Sequence, residues 1–399
     1  MNKTIRFVLT ALLALGMLSA CAPAPAEQPA PPAETQAPLP PTEKPAEPPA
    51  PTEAPVETEA PVVTEAATEE VVEPPSGEIM KVVPEKGEGA IYYLAMIGNN
   101  VWEVYAAQTF ERYATELGYE FNAINAENSA DNQVNQLSSI MSLKPKAIML
   151  KSVDVTLIAE IAQQAVEAGV PVITFDGSIS TGKVSLNVDV GLVKYGRQAG
   201  EEILKYLVEK NGSEKGKVLN LMGDVSVPYS PLMSQGFHEI LDPYPEITVI
   251  DKDTVGWEIT AAANIAADQL TVNPDIDAMF VHTDSRFPGV VSVLEEKGFQ
   301  KGDVYLIGVD GDPTALNLIR GGWVNATITP PMNQYVFGCY TFLDQISAGE
   351  TLTPGLYDVD GVVGELVQEE LSPKLIIPGI LVTTENVNDP TLWGNAEIQ

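Results

Sequence analysis

Gly169-Val170-Pro171-Val172-Ile173-Thr174-Phe175-Asp176-Gly177 holds a helix stop, an almost unbroken apolar strand and a carboxylate at the strand's carboxyl end. Before it, residues 157–168 carry apolar side chains at helical spacing, and Gly169 ends that helix. A Val/Ile/Phe strand without polar alternation is covered on both faces, the condition of a parallel strand between layers of helices. The same unit recurs on either side. Toward the N-terminus, strands are predicted over 90–97, 119–124 and 147–150, with helices over 102–117 and 132–143. Toward the C-terminus, strands are predicted over 217–221, 247–250, 278–281, 304–307 and 324–328. Helices fill the gaps at 192–208, 258–270, 289–297 and 333–346. Alternation of this kind gives an α/β fold with parallel sheets. The folded part, 89–399, is at the upper limit of a single core, so two lobes are expected.

In such sheets a ligand binds beyond the carboxyl ends of the strands. Four of those ends carry polar chemistry: Gly98-Asn99-Asn100-Val101-Trp102-Glu103, Asp176-Gly177, His282-Thr283-Asp284-Ser285-Arg286 and Asp310-Gly311-Asp312-Pro313. Asp176, Asp284 and Asp310 thus stand at three separate ends. An Asp there can be a plain helix cap. Three of them beside Trp102 suit a neutral polyhydroxylated ligand, because carboxylates accept from vicinal hydroxyls and an indole covers the C–H face of a sugar ring. His282 is a further candidate contact, and Arg286 is the only evident local cation. His238 reads as a surface or packing residue of an amphipathic helix.

Several motifs, in this order and spacing, resemble the type I periplasmic binding proteins of sugar ABC importers, the group typified by ribose-binding protein. They are Asn99-Asn100-x-Trp102, Glu116-Leu117-Gly118-Tyr119, the run from Gly169 to Asp176, and Pro274-Asp275-Ile276-Asp277-Ala278-Met279-Phe280. Ile307-Gly308-Val309-Asp310-Gly311 and Ala326-Thr327-Ile328 complete the set. The resemblance implies two Rossmann-like lobes joined by a three-strand hinge that close on a ligand. Lobe one is expected over 89–188 and 330–360, lobe two over 189–329, and a C-terminal extension over 360–399. Carried over position by position, Asn100, Trp102, Glu103 and Asp176 line the cleft from lobe one. Thr283, Asp284 and Asp310 line it from lobe two, and Trp257 opposes Trp102. A sugar and an ABC transporter permease are the implied partners of a monomer; neither cofactor, metal nor catalysis is implied.

Three positions depart from the ribose binders. Gly177 stands where they have Arg, the run Tyr229-Ser230-Pro231-Leu232-Met233 lacks a second Arg, and Thr329-Pro330-Pro331 lacks a Gln. With two cations lost and Glu103 gained, ribose itself and anionic ligands are poor expectations. A neutral monosaccharide is favoured. An amine-bearing or nucleoside-like ligand stays open, as does a chemoreceptor or kinase partner in place of a permease. No G-x-S-x-G, H-E-x-x-H, P-loop or G-x-G-x-x-G pattern is present to argue for an enzyme.

The N-terminus sets the compartment. Lys3 and Arg6 precede an apolar stretch over 7–17, too short for a membrane span of about 20 residues. Leu18-Ser19-Ala20-Cys21 then resembles the bacterial lipobox, which implies a signal peptide over 1–20 and a lipidated Cys21. A Pro/Ala/Glu/Thr-rich spacer follows over 21–88, holding 17 of the 32 prolines; such a composition cannot form a core and is expected to be a disordered tether. The chain is therefore expected outside the cytoplasm, in the periplasm or on the outer face of the cytoplasmic membrane. Its net charge of −33 argues against nucleic acid as a partner. The second cysteine, Cys339, lies among aromatic residues and reads as a core thiol.

Overall fold

A computed structural model describes residues 77–396 other than Ile97, Asn99, Ser226 and Val227. The expected signal peptide, the lipidated Cys21 and the spacer as far as residue 76 lie outside the described residues. The first half of the described chain contains β1 (Ile79–Lys81), β2 (Ala90–Ala95), α1 (Val101–Glu116), β3 (Glu120–Asn125), α2 (Ala130–Met141), β4 (Ala147–Leu150), α3 (Ala159–Glu167), β5 (Val172–Phe175) and β6 (Leu186–Asp189). Then come α4 (Leu192–Asn211), β7 (Lys215–Leu221), α5 (Tyr229–Leu241), β8 (Glu246–Lys252), α6 (Ile259–Val272), β9 (Ala278–Val281), α7 (Phe287–Glu296), β10 (Tyr305–Val309), α8 (Pro313–Gly321) and β11 (Ala326–Thr329). The remainder is α9 (Met332–Thr341), α10 (Leu343–Ser347), β12 (Gly355–Val359), β13 (Val362–Gln368), β14 (Pro373–Ile376) and β15 (Ile380–Val382).

Two sheets divide these strands. One runs β1-β12-β13-β14-β6-β5-β4-β2-β3 and the other β15-β11-β10-β9-β7-β8. The central strands β4, β5, β9 and β11 are buried along their whole length, as parallel strands covered by helices must be. Three connections pass between the sheets: Val190-Gly191 after β6, Pro330-Pro331 after β11 and Ile377-Pro378-Gly379 after β14. The expected two-lobed α/β fold is present, but its sheets are not wholly parallel. β13 is antiparallel to both neighbours, and β15 is antiparallel to β11. The Asp360-Gly361 turn, with φ of 51° and 89°, closes the β12–β13 hairpin, as an Asp-Gly pair with both φ positive is suited to do. β15 is reversed because β14, parallel to β6, ends facing the second sheet. A chain crossing from there enters that sheet at the end where β11 finishes.

Three boundaries differ from expectation. The spacer was expected to run free to 88, yet β1 pairs with β12, Glu85 donates to Asp344 (2.8 Å) and Gly87 to Leu117 (2.8 Å). Met80 and Val82 supply the apolar contact that this edge needs. The stretch after 360 is not a separate extension: β13 and β14 complete the first sheet and β15 the second. The helix expected over 333–346 breaks at Phe342 into α9 and α10.

One very close helix contact lies in the second lobe. A Cβ on Gly196 of α4 would stand 1.9 Å from the Met233 carbonyl, and one on Gly236 of α5 would stand 1.9 Å from that of Val193. The two helices therefore meet backbone to backbone, and only glycine fits at either point.

Candidate functional site

The carboxyl ends of β2, β4 and β5 bring one group of side chains together. Asn100 caps α1 by accepting from the Glu103 amide at 2.7 Å and so fixes where the first turn projects. Trp102, in that turn, is half-buried against Phe175, with ring centroids 5.4 Å apart. Glu103 is only 1% exposed; one oxygen accepts from the Tyr93 hydroxyl at 2.8 Å and the other lies 3.1 Å from Lys151 Nζ. Lys151 is the first residue beyond β4. Its ammonium is 2.8 Å from Asp176 Oδ2 and 3.4 Å from the centre of the Trp102 ring. Burial works against its charge, but Asp176 and Glu103 outweigh burial and hold its pKa above the ordinary lysine value. Asp176 has a left-handed φ of 52°, which Asp tolerates better than most residues.

A second group sits at the ends of β9 and β10. Thr283 donates to Asp310 Oδ2 at 2.6 Å. Asp310, with φ 113°, is held by its backbone: its amide donates to Ile328, and its carbonyl accepts from Thr329 Oγ1 (2.6 Å) and Trp393 Nε1 (2.7 Å). Burial pushes its carboxyl up, the Thr283 hydrogen bond opposes this, and Asp312 and Asp176 raise it further. With Lys151 pulling the other way, the pKa is about 7. Asp176 and Lys151 belong to the first lobe, so the strand ends of the two sheets face each other. They also touch: the Tyr229 hydroxyl of α5 donates to the Asp176 carbonyl at 2.6 Å. Gly177 leaves room for that contact, since a Cβ there would lie 3.2 Å from the hydroxyl.

The other expected site residues have different surroundings. Asp284 is fully buried. Its Oδ2 accepts from the Gly311 amide (2.6 Å), the Asp312 amide (3.3 Å) and Thr327 Oγ1 (2.7 Å), which pins the loop that carries Asp310. Burial first, then the charges of Asp312 and Asp310, hold its pKa well above the carboxylate range. His282 is likewise internal, bonded to Asn220 (2.8 Å) and Ser230 (3.3 Å). Burial, helped by Arg286, lowers its pKa to about 3 and keeps it neutral. Arg286, expected as the local cation, is instead buried and donates to the Met222 carbonyl (2.7 Å), the Gly256 carbonyl (3.1 Å) and Thr254. It ties together the loops after β7 and β8. Trp257 stands on the second of these loops, with Arg286 5.5 Å over its ring, Tyr229 edge-on at 6.5 Å and Gly223 beneath it.

The cation that does lie among the site residues is Lys151. Its sequence signal is the one that identifies Asp176: the first residue beyond a buried apolar strand, Ala147–Leu150. Tyr229 and Trp393 gave no such signal, because one acts from a helix and the other from the far end of the chain. Among the described residues no group of three or more His, Cys, Asp or Glu is placed to hold a metal ion.

A family model described as a periplasmic binding protein domain matches residues 91–351. The D-apiose import binding protein of Actinobacillus succinogenes is 31% identical over 219 residues, covering 55% of this chain and 69% of its own. The ribose import binding protein of Bacillus subtilis is 27% identical over 230 residues, covering 58% and 72%. A solved solute-binding protein from Actinobacillus succinogenes with bound D-allose superposes with a TM-score of 0.63 at 22% identity, covering 75% of this chain and 99% of that one.

Proposed function

This chain belongs to the periplasmic binding protein domain family, and from that premise we propose that it captures a small neutral monosaccharide between its lobes and delivers it to an ABC importer. The observation that carries the reading is the facing of Asp176 and Asp310, from opposite sheets, beside the Trp102 indole. Two carboxylates so placed accept hydrogen bonds from hydroxyls on both edges of one sugar ring. The names of the apiose and ribose import relatives support the same ligand class.

In this reading Asp176, Thr283 and Asp310 contact the ligand, and Trp102, its ring already covered by Lys151, borders them. Asn100, Glu103 and Asp284 hold those four in place, and Trp257 walls the cleft from the second lobe. A ligand bonded to both lobes favours the closed arrangement by a population shift, and no bond of the ligand is made or broken. Cys21 anchors the chain by its lipid on the outer face of the cytoplasmic membrane, the spacer gives the lobes reach, and a permease receives the sugar.

Calorimetry on the purified protein, unfolded and refolded to remove carried-over ligand, tests this against pentoses, hexoses, inositols and nucleosides. Micromolar or tighter binding of one neutral sugar is expected. A response to nucleosides alone would overturn the ligand class, and silence across all four would overturn the capture reading.

A further inference from the structure

Among the described residues Lys151 is the only buried lysine, and it lies where a ligand would be expected to stack. Its ammonium touches two carboxylates, Glu103 at 3.1 Å and Asp176 at 2.8 Å, and covers the Trp102 ring at 3.4 Å. Carboxylates around an aromatic face are the groups with which proteins hold alkylammonium ligands. Here the chain fills such a cage with its own side chain. The backbone leaves that side chain little freedom, since the Lys151 amide donates to Leu94 (3.0 Å) and its carbonyl accepts from Gln133 Nε2 (2.8 Å).

We propose that Lys151 is a specificity-determining residue: it occupies the cation cage of Glu103, Asp176 and Trp102 and thereby refuses amine-bearing ligands, leaving the cleft to neutral polyols. The proposal deepens the sugar-capture reading and rests on it for the polyol. An incoming ammonium would meet a like charge already paired, and displacing Lys151 would leave its ammonium buried and unpaired, at a large cost. An anion gains little in exchange, because two carboxylates already answer the one cation.

Ethylammonium is the probe, because it matches the end of the lysine side chain and needs no knowledge of the sugar. Thermal unfolding of the full chain is followed with ethylammonium chloride against sodium chloride at equal ionic strength. Lys151→Ala empties the cage, so ethylammonium should raise its Tm, whereas the natural chain and Lys151→Arg, in which the cage stays filled, should not respond. Equal responses from all three, or none from Lys151→Ala, would overturn the proposal. If Lys151→Ala does not fold, the double variant Lys151→Ala/Glu103→Gln removes one carboxylate with the cation and still empties the cage, so ethylammonium should raise its Tm, and no response there would overturn the proposal. Calorimetry with glucosamine provides the second arm: Lys151→Ala should gain at least about tenfold in affinity over the natural chain. An ethylammonium response in Lys151→Ala, where the natural chain binds no sugar, would sink sugar capture while leaving the cage standing. Sugar binding by the natural chain without an ethylammonium response in Lys151→Ala would do the reverse.

Discussion

Asp310 stands at the centre of the proposed site, and its environment makes it measurable in two ways. Charged hydrogen bonds of about 1.5–3 kcal/mol each mean that Asp310→Ala should weaken sugar binding by roughly ten- to a hundredfold, read by calorimetry. The second measurement needs no ligand. Its carboxyl is raised from 3.8 to about 7, chiefly by burial, so the folded protein holds the proton more tightly than the unfolded chain does. Stability must then fall as pH climbs through that window. Asp310→Asn should remove this part of the pH dependence, so that denaturant curves of variant and natural chain diverge between pH 4 and 7. Parallel curves across that range would show that the carboxyl is not shifted. Asp284 differs although it stands at an equivalent strand end. Spacing put both residues on a short list; only the packing of Gly308, whose Cβ would lie 2.4 Å from Asp284 Oδ1, reveals which one faces inward.

Among the elements, what was legible followed from local pattern. The buried strands β4, β5, β9 and β11 and the helices α1, α2 and α4 lie within a few residues of where apolar spacing and glycine stops put them. The expectations that failed depended on distant pairings. β1 is only three residues long, at the end of a proline-rich stretch, and becomes a strand because β12 lies beside it. β6 gives little strand signal because Asn187 interrupts its apolar run; in the structure that side chain accepts from Thr174 (2.7 Å) and the Ile179 amide (3.0 Å) inside the sheet. The α4–α5 contact was equally invisible, since Gly196 and Gly236 look like ordinary helix glycines until the helices are placed together. Their contact predicts that Gly236→Ala costs about 1–3 kcal/mol through overpacking, seen as a lower urea midpoint with an unchanged slope.

For the molecule as a whole, the Tyr229–Asp176 hydrogen bond joins the lobes without help from a ligand. Removing one such bond, worth about 0.5–1.5 kcal/mol, should shift the closed-to-open ratio by about two- to tenfold. Tyr229→Phe is therefore expected to enlarge the radius of gyration of the empty protein in X-ray scattering and to leave the sugar-bound value unchanged. An unaltered empty form would mean that this hydroxyl does not hold the lobes. The three crossings carry a further consequence, for the order in which the chain can fold. The second sheet lacks its edge strand until Ile380–Val382 arrives, the first waits for residues 355–376 to flank β6, and the loop of Asp310 waits for Trp393. Neither lobe is complete while the ribosome is still making the other. Pairings this remote in sequence give a high contact order and slow folding. A chain that closes its structure last of all at its far end stays loose and threadable through most of its synthesis, which is the state a secretion pore requires.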